Sequence, residues 1–211
     1  MNKPNKILCS NSSCSSNPFC SSLENTTREY LCKMGKKIKF KARQDIMIDL
    51  KSSKKAYLLA KGQIFVIRVR ENGRSRAMIL NEGDILGITQ LFGNHITNIN
   101  HLFTKTQIEC CIFSIEQLED MCCKFNDFAC KMIDILSKRL SKTYNVIEHL
   151  TLDTSEEKLL YILETLGYKR YNVDRISYTH EELAQLAGLN RVTVTRALEQ
   201  IKSIPKNYNK L

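Results

Sequence analysis

The sequence predicts an α+β fold, in which an antiparallel β-barrel precedes a long helix and a C-terminal helix-turn-helix. Three observations support this fold class. Short runs of β-branched and aromatic residues, separated by turn residues, fill residues 36–115. The hydrophobic period then changes from two residues to about 3.6 residues, which is the period of an α-helix. Near the C-terminus, two short amphipathic segments flank a glycine, a pattern typical of two helices joined by a tight turn.

The composition limits the class of protein. The chain has 211 residues, of which 43% are hydrophobic and 26% charged, and this is enough apolar material for a buried core. Each apolar run is far shorter than the roughly 18 residues of a membrane-spanning helix, and no secretory leader is recognisable. P-loop, nucleophile-elbow, zinc-protease and dinucleotide motifs are absent from the sequence. We therefore expect a cytoplasmic protein that is neither a membrane protein nor an enzyme.

Three strand-like runs and two turns define the β region. The runs lie at residues 56–60, 63–70 and 77–80, and each is rich in aliphatic or aromatic side chains. Turn signals occur at 71–74, with the sequence Glu-Asn-Gly-Arg, and at 81–84, with the sequence Asn-Glu-Gly-Asp. Short strands spaced by about 8 to 12 residues are typical of a small antiparallel barrel or sandwich.

A long amphipathic helix is predicted over residues 126–150, and a second helix over 155–166. The apolar positions of the first recur at spacings of three and four: Phe128, Met132, Ile135, Leu136, Leu140, Thr143, Ile147 and Leu150. This stripe is long enough for a coiled-coil-like pairing of two chains, but it could equally pack against the barrel of its own chain. If it pairs two chains, the dimerisation residues are Met132, Ile135, Leu136, Leu140 and Ile147.

Four residues mark the ends of the two C-terminal helices. Thr179 and Glu182 form a capping box, which begins the first helix by satisfying its terminal N–H groups. Gly188 provides the turn, because glycine adopts a positive φ without steric cost. Asn190 is a preferred N-cap for the second helix. The residues expected inside this helix-turn-helix are small or apolar: Leu183, Ala184, Ala187, Leu189, Val194 and Ala197.

The outer face of the second helix carries candidate DNA-binding residues. Arg191 and Arg196 are suited to bidentate contacts with guanine, and Val192 could touch a thymine methyl or exclude a wrong base. Thr193 could hold a phosphate, and Thr195 lies on the same outer face. The formal net charge of +10 favours an anionic partner. The alternative is a helical hairpin with exposed arginines and no DNA-binding role.

Together these features resemble the CRP/FNR family of bacterial transcription regulators, over residues 36–202. The resemblance implies a cyclic-nucleotide-binding-like sensor barrel, a homodimer joined by the long helix, a palindromic double-stranded DNA operator and RNA polymerase as a partner. The implied domains are a Cys/Ser-rich ligand loop with a lead-in helix at 1–35, the barrel at 36–115, connecting and dimerisation helices at 116–150, and the DNA-binding domain at 151–211.

Two departures from the family concern DNA binding. The base-reading positions of the family match Arg191, Val192 and Arg196, where Val192 replaces the Glu that is common in the family. Family members normally continue into a β-hairpin wing, but here Pro205 ends the second helix and only a short tail follows, so we expect a truncated wing. DNA binding is then expected to be weaker, because phosphate contacts are lost, unless the lysines near the C-terminus replace them. Those lysines are Lys202, Lys206 and Lys210.

The sensor barrel is not expected to bind a cyclic nucleotide, since no arginine lies between Arg76 and Arg139 to hold the phosphate. Nine cysteines favour metal or redox chemistry instead. The iron-sulfur branch of the family holds a 4Fe-4S cluster with three cysteines of an N-terminal loop and one of the barrel. The matching ligands in this sequence are Cys9, Cys14, Cys20 and Cys111.

Alternatives for the cysteines stay open. The Cys14 to Cys20 spacing matches the iron-sulfur branch, but the Cys9 to Cys14 spacing is two residues longer than usual. Cys110, adjacent to Cys111, could be the fourth ligand. The tail thiols could instead form a thiol-disulfide switch or a zinc site, and the protein could be a wing-less redox interaction protein with weak DNA binding. The other cysteines are expected as small core residues: Cys32, Cys122, Cys123 and Cys130.

If the cluster is present, the resemblance implies a sensor of oxygen, nitric oxide or redox state. An intact cluster would order the N-terminal loop against the barrel and the base of the helix at 126–150. The dimer would then present two recognition helices about one DNA turn apart. Oxidation would release the loop, loosen the dimer and lower the affinity for the operator.

Overall fold

The structure is a computed structural model that describes residues 7–8, 16–46, 54–69, 75–88, 101–152, 154–168 and 176–203. The strands in these residues are β1 (Ile7–Leu8), β2 (Lys36–Phe40), β3 (Asp45–Ile46), β4 (Lys55–Lys61), β5 (Ile64–Val69), β6 (Ser75–Leu80), β7 (Ile85–Leu86), β8 (His101–Thr104) and β9 (Ile108–Ser114). The helices are α1 (Asn25–Met34), α2 (Ile115–Lys124), α3 (Asn126–Leu152), α4 (Ser155–Thr165), α5 (His180–Ala187) and α6 (Arg191–Ser203). The chain divides into two compact units, of which the first is Met1–Arg68 with Met78–Lys138 and the second is Val69–Ala77 with Arg139–Leu211.

The strands form two antiparallel sheets. The order is β1-β2-β9-β4-β7 in the five-stranded sheet and β3-β8-β5-β6 in the four-stranded sheet. Strand β9 is central to the first sheet and pairs antiparallel with both β2 and β4, with a bulge in β4 between Leu59 and Lys61. Antiparallel sheets combined with separate helices confirm the predicted α+β class.

The predicted β elements can be compared one by one. The three strand-like runs correspond to β4, β5 and β6. The turn at 81–84 is also present, because the Asp84 N–H donates to the Asn81 carbonyl at 3.0 Å and Gly83 has a φ of +89°. The turn predicted at 71–74 lies outside the described residues.

Side chains of β9 alternate between two hydrophobic clusters, because successive residues of a strand point to opposite faces. The inner cluster has members from both sheets: Ile38, Ile46, Tyr57, Leu59, Ile64, Val66, Leu80, Leu86, Leu102, Ile108 and Cys110. The outer cluster joins the five-stranded sheet to the residues around α1, α2 and the start of α3: Phe19, Cys20, Leu23, Leu31, Ala56, Leu58, Ile85, Ile88, Cys111, Phe113, Ile115, Leu118, Met121, Phe128 and Met132. The helices of the first unit therefore cover one face of this sheet.

A buried lysine lies on the same sheet. Lys37 is 5% exposed, and its Nζ lies 3.3 Å from Oε2 of Glu109, while Lys39 Nζ lies 2.6 Å from Oε1 of the same carboxylate. The hydrogen bond from Lys39, together with that from Lys37, lowers the pKa of Glu109 below its ordinary value. The ionised carboxylate therefore compensates the charge of the buried ammonium, which would be costly alone.

Two predicted helices follow the β region. The helix predicted at 126–150 is α3, and the helix predicted at 155–166 is α4. Helix α4 begins at a capping box, in which the Thr154 N–H donates to Glu157 Oε2 at 2.7 Å and the Glu157 N–H donates to Thr154 Oγ1 at 3.4 Å. Among the described residues, none of the helices is long and apolar enough to cross a membrane.

Candidate nucleic-acid interface and cysteine site

Helix α5 begins where the sequence predicts. The Thr179 N–H donates to Glu182 Oε2 at 2.7 Å, and the Glu182 N–H donates to Thr179 Oγ1 at 3.2 Å. Two backbone N–H groups that would otherwise be unsatisfied at the helix start thus donate reciprocally to side-chain oxygens. The predicted capping box is confirmed, and it fixes the direction in which α5 leaves the preceding loop.

The turn between α5 and α6 is closed by two backbone hydrogen bonds and one side-chain cap. Gly188 has a φ of +67°, in the left-handed region, and its N–H donates to the Ala184 carbonyl. The Leu189 N–H donates to the same carbonyl at 3.0 Å. Asn190 then caps α6, because its Oδ1 accepts from the Thr193 N–H at 2.7 Å. Glycine and asparagine therefore occupy the positions where their conformational and capping preferences are needed.

A hydrophobic core of the second unit holds α4, α5 and α6 together. Its buried members are Leu159, Leu163, Leu183, Ala184, Val194, Ala197, Leu198 and Ile201. Ala184 is 2% exposed, and its small side chain allows the two helices of the motif to approach closely. With one face fixed in this core, α6 can present only its opposite face to a ligand.

The predicted DNA-binding residues lie on that opposite face. Arg191 and Arg196 are exposed, and Val192 is 59% exposed. Thr193 and Thr195 are half-buried. The structure thus brings the three predicted base-reading side chains to one exposed helix surface.

Sequence reasoning missed one residue of this surface. His180, the first residue of α5, has its Nδ1 at 2.9 Å from Oγ1 of Thr195 on α6. The two residues are 15 positions apart, so no helical or strand period connects them. No local signal in the sequence identifies Thr195 as the partner of His180.

The predicted dimerisation residues divide into two sets on α3. Met132 is 1% exposed and belongs to the outer cluster, and Ile135 packs against that cluster. Assigning Met132 to an interface between chains is therefore wrong, because its side chain is already buried in its own unit. An exposed apolar set remains on the helix, in which Ile133, Leu140 and Ile147 are 63%, 55% and 50% exposed.

The exposed set includes two residues that the sequence analysis did not assign to the interface. Ile133 and Tyr144 are each 63% exposed, and Leu136, which was assigned, is 36% exposed. Ile133, Leu140 and Ile147 recur at intervals of seven residues, which is the heptad spacing of a coiled-coil seam. We name Ile133, Leu136, Leu140, Tyr144 and Ile147 the exposed stripe of α3.

Two of the four predicted cluster ligands share one location. Cys20 is 4% exposed and Cys111 is 6% exposed, and both belong to the outer cluster. Cys9 and Cys14 lie outside the described residues. In the part of the chain that the structure describes, no group of three or more His, Cys, Asp or Glu residues is arranged to hold a metal ion.

The structure separates Cys110 from Cys111. Because the two residues are consecutive in β9, Cys110 points into the inner cluster, whereas Cys111 points into the outer cluster with Cys20. Burial raises the pKa of the Cys110 thiol to about 12. Cys111 is the better candidate of the two, because it shares the outer cluster with Cys20.

A buried asparagine positions Cys20. Asn17 is 2% exposed, and its Nδ2 donates to the carbonyls of Leu59 and Ala60, at 3.1 Å in each case. Its Oδ1 accepts from the N–H groups of Phe19 and Cys20, at 3.0 and 3.3 Å. The side chain thus joins the N-terminal segment to strand β4 through four hydrogen bonds.

The same segment is joined to the start of α3. Asp127 accepts from the Glu24 N–H at 2.9 Å and from the Thr27 hydroxyl at 2.8 Å, so a side chain of α3 is hydrogen-bonded to the N-cap residue and the first turn of α1. The rings of Phe19 and Phe128 meet edge to face at 5.9 Å. Residues 16–24 therefore connect β4 to the base of α3.

Replacing Asn17 with alanine is expected to lower the free energy of unfolding by about 1–3 kcal/mol, because buried backbone groups lose their hydrogen-bond partner. Urea unfolding followed by circular dichroism measures this change. Ser16→Ala, at an exposed neighbouring position, is the matched control and should leave the unfolding free energy unchanged. Equal stability of the two variants would contradict the assigned role of Asn17.

The remaining cysteines do not all fit the expectation. Cys32 and Cys122 are half-buried and pack against the outer cluster, and burial raises the pKa of Cys122. Cys123 and Cys130 are exposed. The prediction that these last two are core residues is wrong, because their neighbours on α2 and α3 fill the core instead.

Comparisons with known proteins agree with this architecture. No family model matches the chain. The global nitrogen regulator of Synechocystis sp. is 28% identical over 158 residues, which cover 71% of this chain and 70% of that protein. The c-di-GMP responsive global regulator CLP of Xanthomonas campestris matches with a TM-score of 0.71 at 20% identity, over 85% of this chain and 92% of that one. A transcriptional regulator assigned to the CRP/FNR family, from Eubacterium rectale, matches with a TM-score of 0.63 at 15% identity, over 88% and 86%.

These similarities cover both the β region and the helical C-terminal unit, since each structural match spans more than four fifths of the chain. The sequence relative and the two solved structures are transcription regulators, not enzymes. An iron-sulfur cluster is named for none of these three proteins. The chain has the fold of the CRP/FNR family of transcription regulators.

Proposed function

We propose that the protein is a DNA-binding transcription regulator that reads a palindromic operator as a homodimer through α6. The observation that carries this proposal is the surface of α6, where Arg191, Val192 and Arg196 are exposed on a helix whose opposite face is fixed in a core. Guanidinium groups make bidentate contacts with the O6 and N7 atoms of guanine in the major groove. The N-terminal residues of a recognition helix are the ones that meet base edges.

The exposed stripe of α3 supports the homodimer. Large apolar side chains that recur every seven residues favour pairing with an identical helix, because two such seams bury each other. A two-fold dimer matches a palindromic site, whose half-sites lie one helical turn apart. Dimerisation and operator symmetry are therefore parts of one proposal.

Selection of double-stranded DNA from a random library tests the proposal. We expect enrichment of an inverted repeat with half-site centres about 10 base pairs apart, bound about a thousandfold or more tightly than scrambled DNA. Affinity should fall steeply with salt, because phosphate contacts release counterions. Enrichment of no sequence, with equal affinity for all DNA, would favour the wing-less interaction protein with weak DNA binding.

The similarity to a global nitrogen regulator suggests which genomic sites to examine first. We propose that operators of this protein lie beside genes of nitrogen metabolism. Capture of genomic fragments by the purified protein, followed by sequencing, tests this proposal. Fragments that share the selected repeat but are unrelated to nitrogen genes would contradict it.

For control of DNA binding we propose a 4Fe-4S cluster held by Cys9, Cys14, Cys20 and Cys111. The supporting observation is that Cys20 and Cys111, although 91 positions apart, belong to one apolar cluster that also contains Phe128 of α3. Thiolates are the donors such a cluster takes, and an apolar surrounding limits the access of water. When bound, the cluster supplies an oxidant-labile link between cysteines distant in the sequence.

The chain's own residues explain how such a link could affect α3. Asn17 holds the backbone of Cys20 against β4, and Asp127 and Phe128 at the base of α3 contact the same segment. Displacement of Cys20 would therefore disturb the first turn of the helix that carries the exposed stripe. Such a two-state element could shift the population of dimers.

Anaerobic purification followed by iron and acid-labile sulfide analysis tests the cluster. We expect about four irons and four sulfides per chain in the wild type, and a visible absorption band that air bleaches. Cys111→Ser should lose the iron, whereas Cys110→Ala and Cys123→Ser, which change a buried and an exposed cysteine elsewhere, should retain it. Iron-free wild-type protein that resists reconstitution would contradict the cluster and favour a thiol-disulfide switch, which thiol titration detects.

A further inference from the structure

The contact between α5 and α6 assigns a direction to one hydroxyl group. Thr195 Oγ1 lies 2.9 Å from His180 Nδ1 and 3.1 Å from the carbonyl oxygen of Arg191, one turn earlier in α6. A hydroxyl has a single hydrogen, and a carbonyl oxygen can only accept. The hydrogen of Thr195 is therefore donated to Arg191.

The tautomer of His180 follows from the same argument. Since the hydroxyl hydrogen points to Arg191, the contact with His180 requires a hydrogen on Nδ1, which donates to Oγ1. Both interactions hold the hydroxyl toward the protein. These two hydrogen bonds fix the rotamer of Thr195, because its side chain has a single χ angle and both partners of Oγ1 are in place.

This arrangement decides what Thr195 offers to a base. With its hydrogen used inside the protein, the hydroxyl cannot donate to the O6 and N7 of guanine, the N7 of adenine or the O4 of thymine. One lone pair of the hydroxyl oxygen remains, which could only accept from the amino group of adenine or cytosine, and the γ-methyl group is the other group that Thr195 offers. In the major groove, the apolar group that a methyl can contact is the C5-methyl of thymine.

We propose that Thr195 reads a thymine through its methyl group and that His180 is the positioning residue that makes it do so. The proposal rests on the proposed function of α6 as the DNA-reading helix. Arg191 lies one turn before Thr195 on the same face of α6, and Arg196 directly follows Thr195. Because the arginines are proposed to contact guanine, the thymine would neighbour a guanine in each half-site.

Thymine-to-uracil replacement in the selected operator isolates the methyl contact, because uracil differs from thymine only in lacking that group. Each thymine is replaced in both half-sites, and binding is compared by competition. At one thymine position, we expect the replacement to lower the affinity of the wild-type protein about fourfold per half-site. This factor corresponds to the free energy of burying one methyl group. Thr195→Val, which keeps a methyl and lacks the hydroxyl, should retain this discrimination, and Thr195→Ser, which lacks the methyl, should lose it.

Variants of His180 test the positioning role. His180→Asn places an N–H near the position of Nδ1 and should retain the thymine preference. His180→Ala should weaken the preference, because Thr195 then keeps only its bond to Arg191 and loses one of the two contacts that fix its rotamer. In the double variant His180→Ala, Thr195→Val the preference should return, because valine has no hydroxyl to reorient. A merely structural role for His180 would change stability without changing the ratio of affinities for thymine and uracil.

The outcomes separate this inference from the proposed function. If an operator is selected but wild-type binding is unaffected by uracil at every position, the methyl contact is wrong and the DNA-binding proposal stands. If Thr195→Val behaves like Thr195→Ser, the hydroxyl is the reading group and the inference is overturned. If no operator can be selected, both proposals fail together.

Discussion

Replacing Leu140 and Ile147 together with aspartate is expected to convert the protein into a monomer and to abolish tight operator binding. The two side chains are 55% and 50% exposed and lie seven residues apart on α3. In a pair of α3 helices the two positions would be equivalent positions of the seam. Each chain would then place two aspartate carboxylates in the seam, where they would face the carboxylates of the other chain with no positive charge to balance them. Linking two binding modules raises affinity by about 10²–10⁴, so loss of the dimer should weaken operator binding by at least about 100-fold.

Light scattering at micromolar concentration and operator titration measure the two effects. Ser141→Asp combined with Asn145→Asp is the matched control, because it adds the same charge to exposed positions of α3 away from the exposed stripe. The control should remain dimeric and bind normally. A dimer that persists in the Leu140 and Ile147 variant would show that the chains associate through another surface.

Replacing Arg191 or Arg196 with alanine is expected to reduce operator affinity by about 10-fold to 100-fold and to relax the preference for one base pair. A bidentate arginine contact with guanine contributes about 1–3 kcal/mol of discrimination. Substitution by lysine should restore only part of the loss, because an ammonium group cannot form the planar paired contact. Thermal stability should not change, since both side chains are exposed.

Competition with operators altered at each position measures the relaxed preference. Lys202→Ala, in the last turn of α6, is the comparison, and it should weaken binding to all sequences about equally while reducing the salt dependence. If the arginine variants lose affinity equally for every sequence, these side chains contact phosphates, and the bases are read by other residues.

The local features of the fold follow from the sequence, because each depends on residues close together in the chain. The capping boxes at Thr154 and Thr179, the turn at Gly188 and the extent of α3 all arise from spacings of three or four residues or from the backbone freedom of glycine. The residue at the N-cap of α6, Asn190, is identified in the same way.

The sequence failed where the outcome depends on which face meets a distant partner. Between residues 132 and 136, α3 has apolar side chains on two sides, and both sides satisfy a spacing of three or four residues. Only the position of the five-stranded sheet decides that Met132 enters the outer cluster while Ile133 stays exposed. The contact between His180 and Thr195 and the separation of Cys110 from Cys111 between two clusters depend on tertiary packing in the same way.

The N-terminal segment has a consequence for shortened forms of the protein. Phe19, Cys20 and Leu23 are 1%, 4% and 5% exposed, so residues before α1 fill part of the outer cluster. A chain cut after Glu24 would leave apolar surface of the sheet and of α3 open to water, and such surfaces promote aggregation. Proteolytic removal of this segment should therefore yield an insoluble product rather than a constitutively active regulator.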